Sequence, residues 1–313
     1  MPRPAEAGGE ARLGGPLPGA DAGAQSRQVT GLLRRRRWLA ALLLILLAVP
    51  GGAVWLYANA RAMPVVRRLD VALPFPADAP RRPVTVALLT DSHLSGPDNS
   101  PERMARIVAL VNRLRPELIV LGGDYIGDDK GGATYDPAQS IAPFAALRAP
   151  LGVVAVLGNH DARKHTGISR RQWGDLFGRI GIRLLDNQAV RRGPLAIGGL
   201  RDIYTGRPDI PGTLAAMQAL GAAPLMLSHG PDAFPLLPDR AMLTLVGHTH
   251  CGQVALPFAG IVYVPSRYGT RYACGVYREG RRTMVVSAGL GTSGLPIRML
   301  APPDVWLITI HPR

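Results

Sequence analysis

Apolar residues dominate two differently patterned stretches of the chain. From Trp38 to Tyr57 they run without a charge. About 20 residues at 1.5 Å each match a hydrocarbon core of roughly 30 Å. Trp38 stands at one end and Trp55 and Tyr57 at the other, where interfacial aromatics belong. Pro50-Gly51-Gly52 is a weak point, tolerable as a kink near the far end. No face of this stretch is polar enough for a soluble helix. It is expected to be an uncleaved transmembrane anchor. The competing reading is a cleaved export signal: Ala58-Asn59-Ala60 has the form of an A-x-A cleavage site, and the arginines leading into Trp38-Leu39 loosely follow a twin-arginine pattern.

After residue 82 the apolar runs become short, and each ends in a polar or glycine-rich turn. Val84–Thr90 breaks at Asp91-Ser92-His93, 118–121 at Gly122-Gly123-Asp124, and 153–157 at Gly158-Asn159-His160-Asp161. Residues 225–227 break at Ser228-His229, and 243–246 at Gly247-His248-Thr249-His250. Such continuous runs predict strands buried on both faces. Pro101–Leu114 carries Met104, Ile107, Val108 and Val111 at helical spacing with proline at its start. Helices are also expected over 141–147, 171–180 and 214–220. Strands alternating with helices imply an α/β fold. Toward the C-terminus, runs at 260–264, 272–277, 283–287 and 305–310 arrive with little helix between them, which predicts a second, mostly antiparallel sheet packed on the first.

The expected organisation is a disordered tail over 1–33, a basic flank and transmembrane anchor over 34–60, a linker over 61–82 and one large domain over 83–313. Arg34–Arg37 ahead of the apolar run favour a cytoplasmic N-terminus and an extracytoplasmic domain, although Arg61, Arg67 and Arg68 weaken the asymmetry. The net charge of +14 is almost all arginine, Lys130 and Lys164 being the only lysines. That balance suits anionic lipid headgroups or phosphorylated substrates. Nucleic acid is the weaker candidate, because no basic block is interleaved with aromatics beyond the N-terminal segment. No protein partner can be inferred. Cys251 and Cys274 make neither a disulfide framework nor a zinc motif and read as two free thiols.

Five of the seven histidines fall in the turns that end the apolar runs: His93, His160, His229, His248 and His250. Packing alone does not require polar clusters at five strand exits, whereas ligands of α/β sheets bind there. Imidazoles beside Asp91, Asp124 and Asn159 point to a metal site. The order D-x-H, G-D, G-N-H-[DE], H and G-H-x-H resembles the calcineurin-like metallophosphoesterase superfamily over nearly all of 83–313. The run Leu290–Leu300 resembles the tail of its bacterial membrane-associated phosphodiesterases.

That resemblance implies a four-layer α/β/β/α sandwich of two mixed sheets, with a dinuclear site on strand-end loops. It implies that Asp91, His93, Asp124 and His250 hold one metal and that Asp124, Asn159, His229 and His248 hold the other, Asp124 bridging. His160 would be the catalytic residue, a general acid and not a ligand. The donor types suit two divalent ions such as Mn, Fe or Zn. The expected reaction is attack of a metal-bridging hydroxide on the phosphorus of an envelope or lipid-linked phosphodiester. The alternatives are a phosphomonoesterase or nuclease with soluble substrates, or a non-catalytic metal-binding membrane protein.

The chain departs from the family at two places. Calcineurin-type members carry an aspartate three residues after the bridging one, and here Gly127 stands there, followed by Asp128 and Asp129. Either Asp128 substitutes or other groups orient His160. Cys251 stands where glycine is usual and reads as a small packing residue rather than a further ligand. Arg298, beside Gly289–Gly294, is the sharper candidate for a phosphate contact. Arg163, with Lys164, His165, Arg170 and Arg171, is a candidate basic rim.

Overall fold

The computed structural model describes the backbone from Ala22 to Arg313 and the side chains from Leu33 onward. Helix α1 (Ala22–Arg61) contains the apolar run and continues through Pro50. It begins inside the stretch expected to be an irregular tail; residues 1–21 lie outside the described residues. An 18-residue stretch within Leu33–Arg61 reaches a mean hydropathy of 2.4, and none of that stretch is buried. The helix is long and apolar enough to cross a membrane, and it lacks the burial a soluble core helix would have. The chain divides into two units after Gly52, so Ala53–Arg313 is a folded unit in its own right.

Along that unit run β1 (Val65–Leu73), β2 (Val84–Leu89), α2 (Pro101–Leu114), β3 (Leu118–Leu121), α3 (Pro137–Ile141), β4 (Val153–Ala155), α4 (Arg163–Thr166), α5 (Arg170–Arg179) and β5 (Arg183–Leu184). The second half supplies β6 (Gln188–Arg192), β7 (Leu195–Gly199), α6 (Ile210–Ala219), β8 (Ala223–Leu227), β9 (Met242–Val246), β10 (Ala255–Leu256), β11 (Gly260–Ile261), β12 (Gly275–Glu279), β13 (Arg282–Val286) and β14 (Asp304–Pro312). Two six-stranded sheets result, ordered β1-β14-β2-β3-β4-β5 and β12-β13-β9-β8-β7-β6, with β10 and β11 a separate hairpin.

Strand alternation sorts the core into layers. Val86, Leu88 and Val120 of the first sheet meet Ile197, Leu225, Leu243 and Leu245 of the second. The opposite face of the first sheet, with Ala87, Leu89 and Ile119, packs on Met104, Ile107 and Val111 of α2 and on Trp173 and Phe177 of α5. Beyond the second sheet, Met226 and Val246 join a cluster with Met217 of α6. The architecture is therefore α/β/β/α, as the family resemblance implied. Helix α2 forms where expected because Ser100 caps it by accepting the Arg103 N–H, Pro101 opens it, and Arg115 ends it in a left-handed conformation.

Two expectations need correction. The second sheet is mixed and not mostly antiparallel: β13, β9, β8 and β7 run parallel, and only its edge strands β12 and β6 are antiparallel to their neighbours. Parallel pairing needs crossovers, and α6 and the 3-10 turn Pro231–Leu236 lie between its central strands. The stretch 61–82 is also more than a linker. Its residues 65–73 form β1, paired in parallel along all nine residues of β14. Arg67 anchors that strand by donating to buried Asp304 at 2.7 Å.

Because β1 covers β14, a chain beginning at Met63 should fold cooperatively, whereas one beginning at Pro83 would bare the edge of β14 and aggregate. Thermal unfolding and size-exclusion chromatography of the two truncations would check this. A stable, monomeric 83–313 would show that β1 is dispensable.

Candidate metal centre

Strands β2, β3 and β4 of one sheet and β8 and β9 of the other end in the five polar clusters, and the clusters meet around Asp124. Its Oδ2 lies 3.4 Å from His93 Nε2 and 3.2 Å from His229 Nε2. Its Oδ1 accepts the backbone N–H of His160 at 2.8 Å. On one side Asp91 Oδ1 is 3.6 Å from His250 Nε2, which is 3.2 Å from His93 Nε2. On the other, His229 Nε2 is 3.0 Å from Asn159 Oδ1 and 3.1 Å from His248 Nδ1. Donor atoms each about 2.0–2.2 Å from a common ion would stand roughly 3–3.6 Å apart. All seven expected ligands are thus brought together around Asp124, and His160 also lies with His93 and Asp124 in a group close enough to hold an ion.

The hydrogen-bond roles show what these atoms lack. His93 Nδ1, His229 Nδ1 and His248 Nε2 face the carbonyl oxygens of Ile126, Gly122 and Pro265 at 3.1, 2.9 and 2.8 Å. A carbonyl only accepts, so the network assigns the proton to those outer nitrogens. The inner nitrogens then present lone pairs to one another, to the Asn159 carbonyl and to carboxylates. Burial opposes a charge on His229, but the carboxylate of Asp124 outweighs it and raises that imidazole well above its ordinary value, so a proton on its Nε2 and a cation are competing partners there. Burial pushes His93 and His248 down to about 3, which keeps both imidazoles in the neutral, ligating form, and pushes Asp91 up to about 6.

Local backbone strain buys this convergence. Asp91, His93, Asp124, His248 and His250 all have positive φ, between 40° and 71°. Each costs on the order of 1–3 kcal/mol for a residue with a side chain. The glycines of the motifs make room: a Cβ on Gly158 would run into Asp124 Oδ1, and one on Gly247 into Asp91 Oδ2.

Asp161 holds the loops in register, a role that the motif containing it did not reveal. Its buried carboxylate accepts the N–H groups of Asp124 and Tyr125 at 2.8 Å, Gly158 at 2.9 Å and Ile126 at 3.3 Å. It therefore ties the turn after β3 to the turn after β4. Burial and the nearby charge of Asp124 raise it to about 7. Tyr204, also unforeseen, stacks on His248 with ring centroids 4.0 Å apart. The sequence signal was weak: a single aromatic between Asp202 and Gly206 in a mostly polar loop.

His160 lines the cavity and is part-buried. Its Nδ1 lies 3.1 Å from Asp128 Oδ1, so of the two alternatives it is Asp128 that takes the missing aspartate's place. A side chain at 127 is excluded, because its Cβ would meet Ser95 and the His93 carbonyl. Asp128 is held in turn by the N–H of Gly294 at 2.8 Å and by Ser293 Oγ at 3.2 Å. Burial opposes a charge on His160, but the Asp128 hydrogen bond and the charges of Asp124 and Asp128 outweigh it and raise the imidazole to about 8.

The remaining candidates are placed differently. Arg298 is completely buried and does not contact the cavity. Its guanidinium donates to the carbonyls of Ala288, Gly291 and Ala301 at 2.7, 2.5 and 2.8 Å. It braces the 288–291 turn, whose Gly291 N–H is donated to Asp91 O, and its Nη2 lies 3.4 Å from His250 Nδ1, so it stands behind an expected ligand rather than on the cavity wall. Arg163 is exposed and borders a neighbouring cavity with Arg170 and Arg171. Cys251 and Cys274 are not free thiols: they form a disulfide, with Cα atoms 4.6 Å apart. Their 23-residue separation hid the contact, because a loop brings the two ends together.

Residues 84–252 match the family model for calcineurin-like phosphoesterases, and the chain belongs to that family. Over 232 residues it is 32% identical to the uncharacterized metallophosphoesterase YkuE of Bacillus subtilis (strain 168), across 72% of this chain and 78% of that one. It is 28% identical over 213 residues to phosphodiesterase YaeI of Escherichia coli (strain K12), covering 65% and 73%. A transmembrane protein with metallophosphoesterase domain from Danio rerio is 28% identical over 242 residues, covering 72% of this chain and 52% of the relative. The protein is thus a hydrolase of phosphoric esters, in a family that uses divalent metals, with Asp and His clusters able to hold them.

Asp161→Asn keeps the side chain's volume but turns an NH2 group toward backbone N–H donors. It should lower stability by about 2–4 kcal/mol, the range for a broken buried charged hydrogen-bond set, and weaken metal retention with it. Denaturant unfolding and metal analysis of the purified variant would measure both. Unchanged values would remove Asp161 from this role.

Proposed function

We propose that the protein is a membrane-anchored, dinuclear metal-dependent phosphodiesterase that works outside the cytoplasm on an envelope or lipid-linked phosphate ester. The observation that carries this reading is the convergence of six side chains, those of Asp91, His93, Asn159, His229, His248 and His250, around Asp124. Asp91, His93, Asp124 and His250 would hold one cation; Asp124, Asn159, His229 and His248 would hold the second. Mixed imidazole, carboxylate and amide donors favour Mn, Fe or Zn. Two divalent ions there would neutralise phosphoryl oxygens and lower the pKa of a water between them.

The chain's own residues supply the rest. Asp128 holds His160 through Nδ1, which leaves Nε2 to carry a proton toward the departing alkoxide. His160 contributes its backbone N–H to Asp124 and, in this reading, its side chain to the substrate. The cavity of about 350 Å³ is lined by Asp124, Asn159, His160, His248, Gln253 and Tyr263 among others, and among the described residues no Lys or Arg lines it. A diester presents one negative charge, which the two cations and His160 can balance. A monoester dianion would call for a further cation on the wall. That difference supports the diester reading, and one relative carries the name phosphodiesterase.

The membrane part of the proposal is supported by the unburied apolar helix and by relatives named transmembrane proteins. The Cys251–Cys274 bridge and Arg34–Arg37 ahead of the span both favour an extracytoplasmic domain. A reporter fused after Arg313 should be active only as a periplasm-type reporter. Activity of a cytoplasm-specific reporter at the same site would reverse the orientation.

Asp124→Ala and His160→Gln separate binding from chemistry. The first removes the shared carboxylate and should empty the site, with activity against bis-p-nitrophenyl phosphate lost for that reason. The second should keep its metal while turnover falls by roughly 10²–10⁴-fold on alkyl diesters, the usual worth of a general acid. The loss should be smaller with p-nitrophenol as leaving group. Metal analysis and kinetics on both esters decide the matter: a His160→Gln protein that loses metal makes His160 a ligand, and one that keeps full activity on alkyl esters is not missing its acid.

A further inference from the structure

The hairpin of β10 and β11 has no polar face. From Ala255 to Pro265 the chain carries eleven residues without a charge, and the Tyr263 hydroxyl is the only polar side-chain group among them. Phe258 at the turn is fully exposed, and Val262 and Tyr263 are 61% and 73% exposed. The neighbouring segment is joined to the hairpin by Ala255 N–H to Met299 O at 2.9 Å and Met299 N–H to Gln253 O at 3.0 Å. It adds Leu295 and Leu300, which are also exposed. Phe258 occupies this turn at φ 68°, a conformation that favours glycine or asparagine. Neither folding nor solubility asks for a bare aromatic there. Contiguous apolar surface of this kind marks an interaction site.

We propose that the β10–β11 hairpin is a second membrane contact, which inserts Phe258 and Val262 into the headgroup–acyl boundary and holds the mouth of the metal cavity at the lipid surface. A bilayer fits better than a protein partner for two reasons. The segment that carries Leu295 and Leu300 is bonded to the end of the apolar helix, since Arg298 N–H donates to Leu56 O at 3.1 Å. Leu56 lies between Trp55 and Tyr57, the aromatics that mark the edge of the span. Furthermore, a protein interface of this area would carry several hydrogen-bonding groups, whereas the hairpin offers one hydroxyl. Arg267 and Arg271 follow it along the chain, exposed but each paired with an acid, Asp232 at 3.6 Å and Glu279 at 2.8 Å, so the case for the hairpin rests on its apolar surface.

The hairpin is continuous with the site. Tyr263 and Pro265 line the metal cavity, and the Pro265 carbonyl accepts the proton of His248 Nε2. A tip embedded in lipid would therefore place that wall at headgroup depth, where the phosphate of a lipid diester lies. The proposal rests on the reading of α1 as a membrane anchor and is independent of the phosphodiesterase reading.

The test uses the full chain in vesicles of phosphatidylcholine with phosphatidylglycerol. The native cysteines are bridged, so Phe258→Cys offers one thiol for an NBD label, and Gln218→Cys, on exposed α6, serves as the water-facing control. The label at 258 should shift to the blue and be quenched by lipids with a shallow doxyl group, while the label at 218 should do neither. Equal, water-like emission at both positions would overturn the proposal. In a second measurement, Phe258→Ser with Val262→Ser should leave hydrolysis of soluble bis-p-nitrophenyl phosphate unchanged. It should slow release of nitrophenol from phosphatidyl-p-nitrophenol in the same vesicles by about tenfold, since the lost apolar burial no longer seats the cavity on the surface. Equal rates for variant and parent on the vesicle ester would also overturn the surface-seating role. If even the parent chain leaves that lipid intact, the lipid-ester reading fails, and the quenching result alone decides the hairpin.

Discussion

The structure depends on a set of buried Asp, His and Asn side chains drawn together around one carboxylate, that of Asp124. Around Asp124 the inner nitrogens of His93, His229 and His248 and the oxygens of Asp91 and Asn159 approach one another within hydrogen-bond distance, yet the outer nitrogens of those imidazoles have committed their protons to backbone carbonyls. Divalent cations would find converging lone pairs there, in competition with the proton that Asp124 favours on His229. Its supports lie within the site's own turns: five residues with left-handed backbone, glycines where a methyl group would strike a carboxylate, and Asp161 collecting four N–H groups to fix two turns. Strain of this kind survives only where the surrounding structure over-determines it. Two sheets packed face to face provide that rigidity.

The same rigidity extends to the end of α1. Arg103, buried on α2, donates to the carbonyls of Arg61 and Ala62 at 3.1 and 2.7 Å, closing orphan acceptors at the helix terminus. It also donates to Leu290 O at 2.9 Å, and the Leu290 N–H goes to the carbonyls of Thr90 and Asp91. One guanidinium thus links the end of the apolar helix to the turn that carries the first expected ligand. Arg298 braces the other side of that turn. Two arginines that a charge count would assign to surface or substrate are instead internal struts, which is why a basic composition says little here about what the site binds.

The legible parts of the fold were those written in local pattern. Strand β3 and helix α2 lie where their apolar periods put them, since a buried run and a capped amphipathic stretch depend on neighbours close in sequence. The ligand set was legible because each motif sits at the exit of its own strand. Long-range pairing was not. Val65–Leu73 alternates weakly, carries Arg67, Arg68 and Asp70, and becomes a strand only because β14 returns from the far end of the chain to pair with it. The direction of β13 beside β9 depends on a 35-residue excursion whose path no period encodes. Asp128 could be named as a candidate but not chosen, because the choice turns on whether a side chain fits at 127. Cys251 and Cys274 are adjacent only after residues 252–273 have folded back.

That last loop joins three properties that would otherwise be separate. Its disulfide closes both ends, which restricts the unfolded chain most where the loop has least core of its own. Between those ends, Pro265 fixes the tautomer of His248, Tyr263 forms a wall of the cavity, and Phe258 stands bare at the tip. A two-stranded hairpin of two residues per strand is too small to hold its own shape in water. What holds it is the bridge at Cys251, the pairing of Ala255 with Met299, and the hydrogen bonds of the Gln253 amide to Ser293 and Leu295. Pro265, at the end of the same loop, meets His248 Nε2 through its carbonyl, on the ring whose Nδ1 lies 3.1 Å from His229 Nε2. The loop that meets the surroundings is mechanically continuous with the second cluster of expected ligands, whereas Asp91 and His93 are braced from the opposite side by Arg103 and Arg298. The two halves of the centre consequently answer to different parts of the molecule, one to the helix end and the other to the hairpin, and Asp124 is the side chain at which they meet.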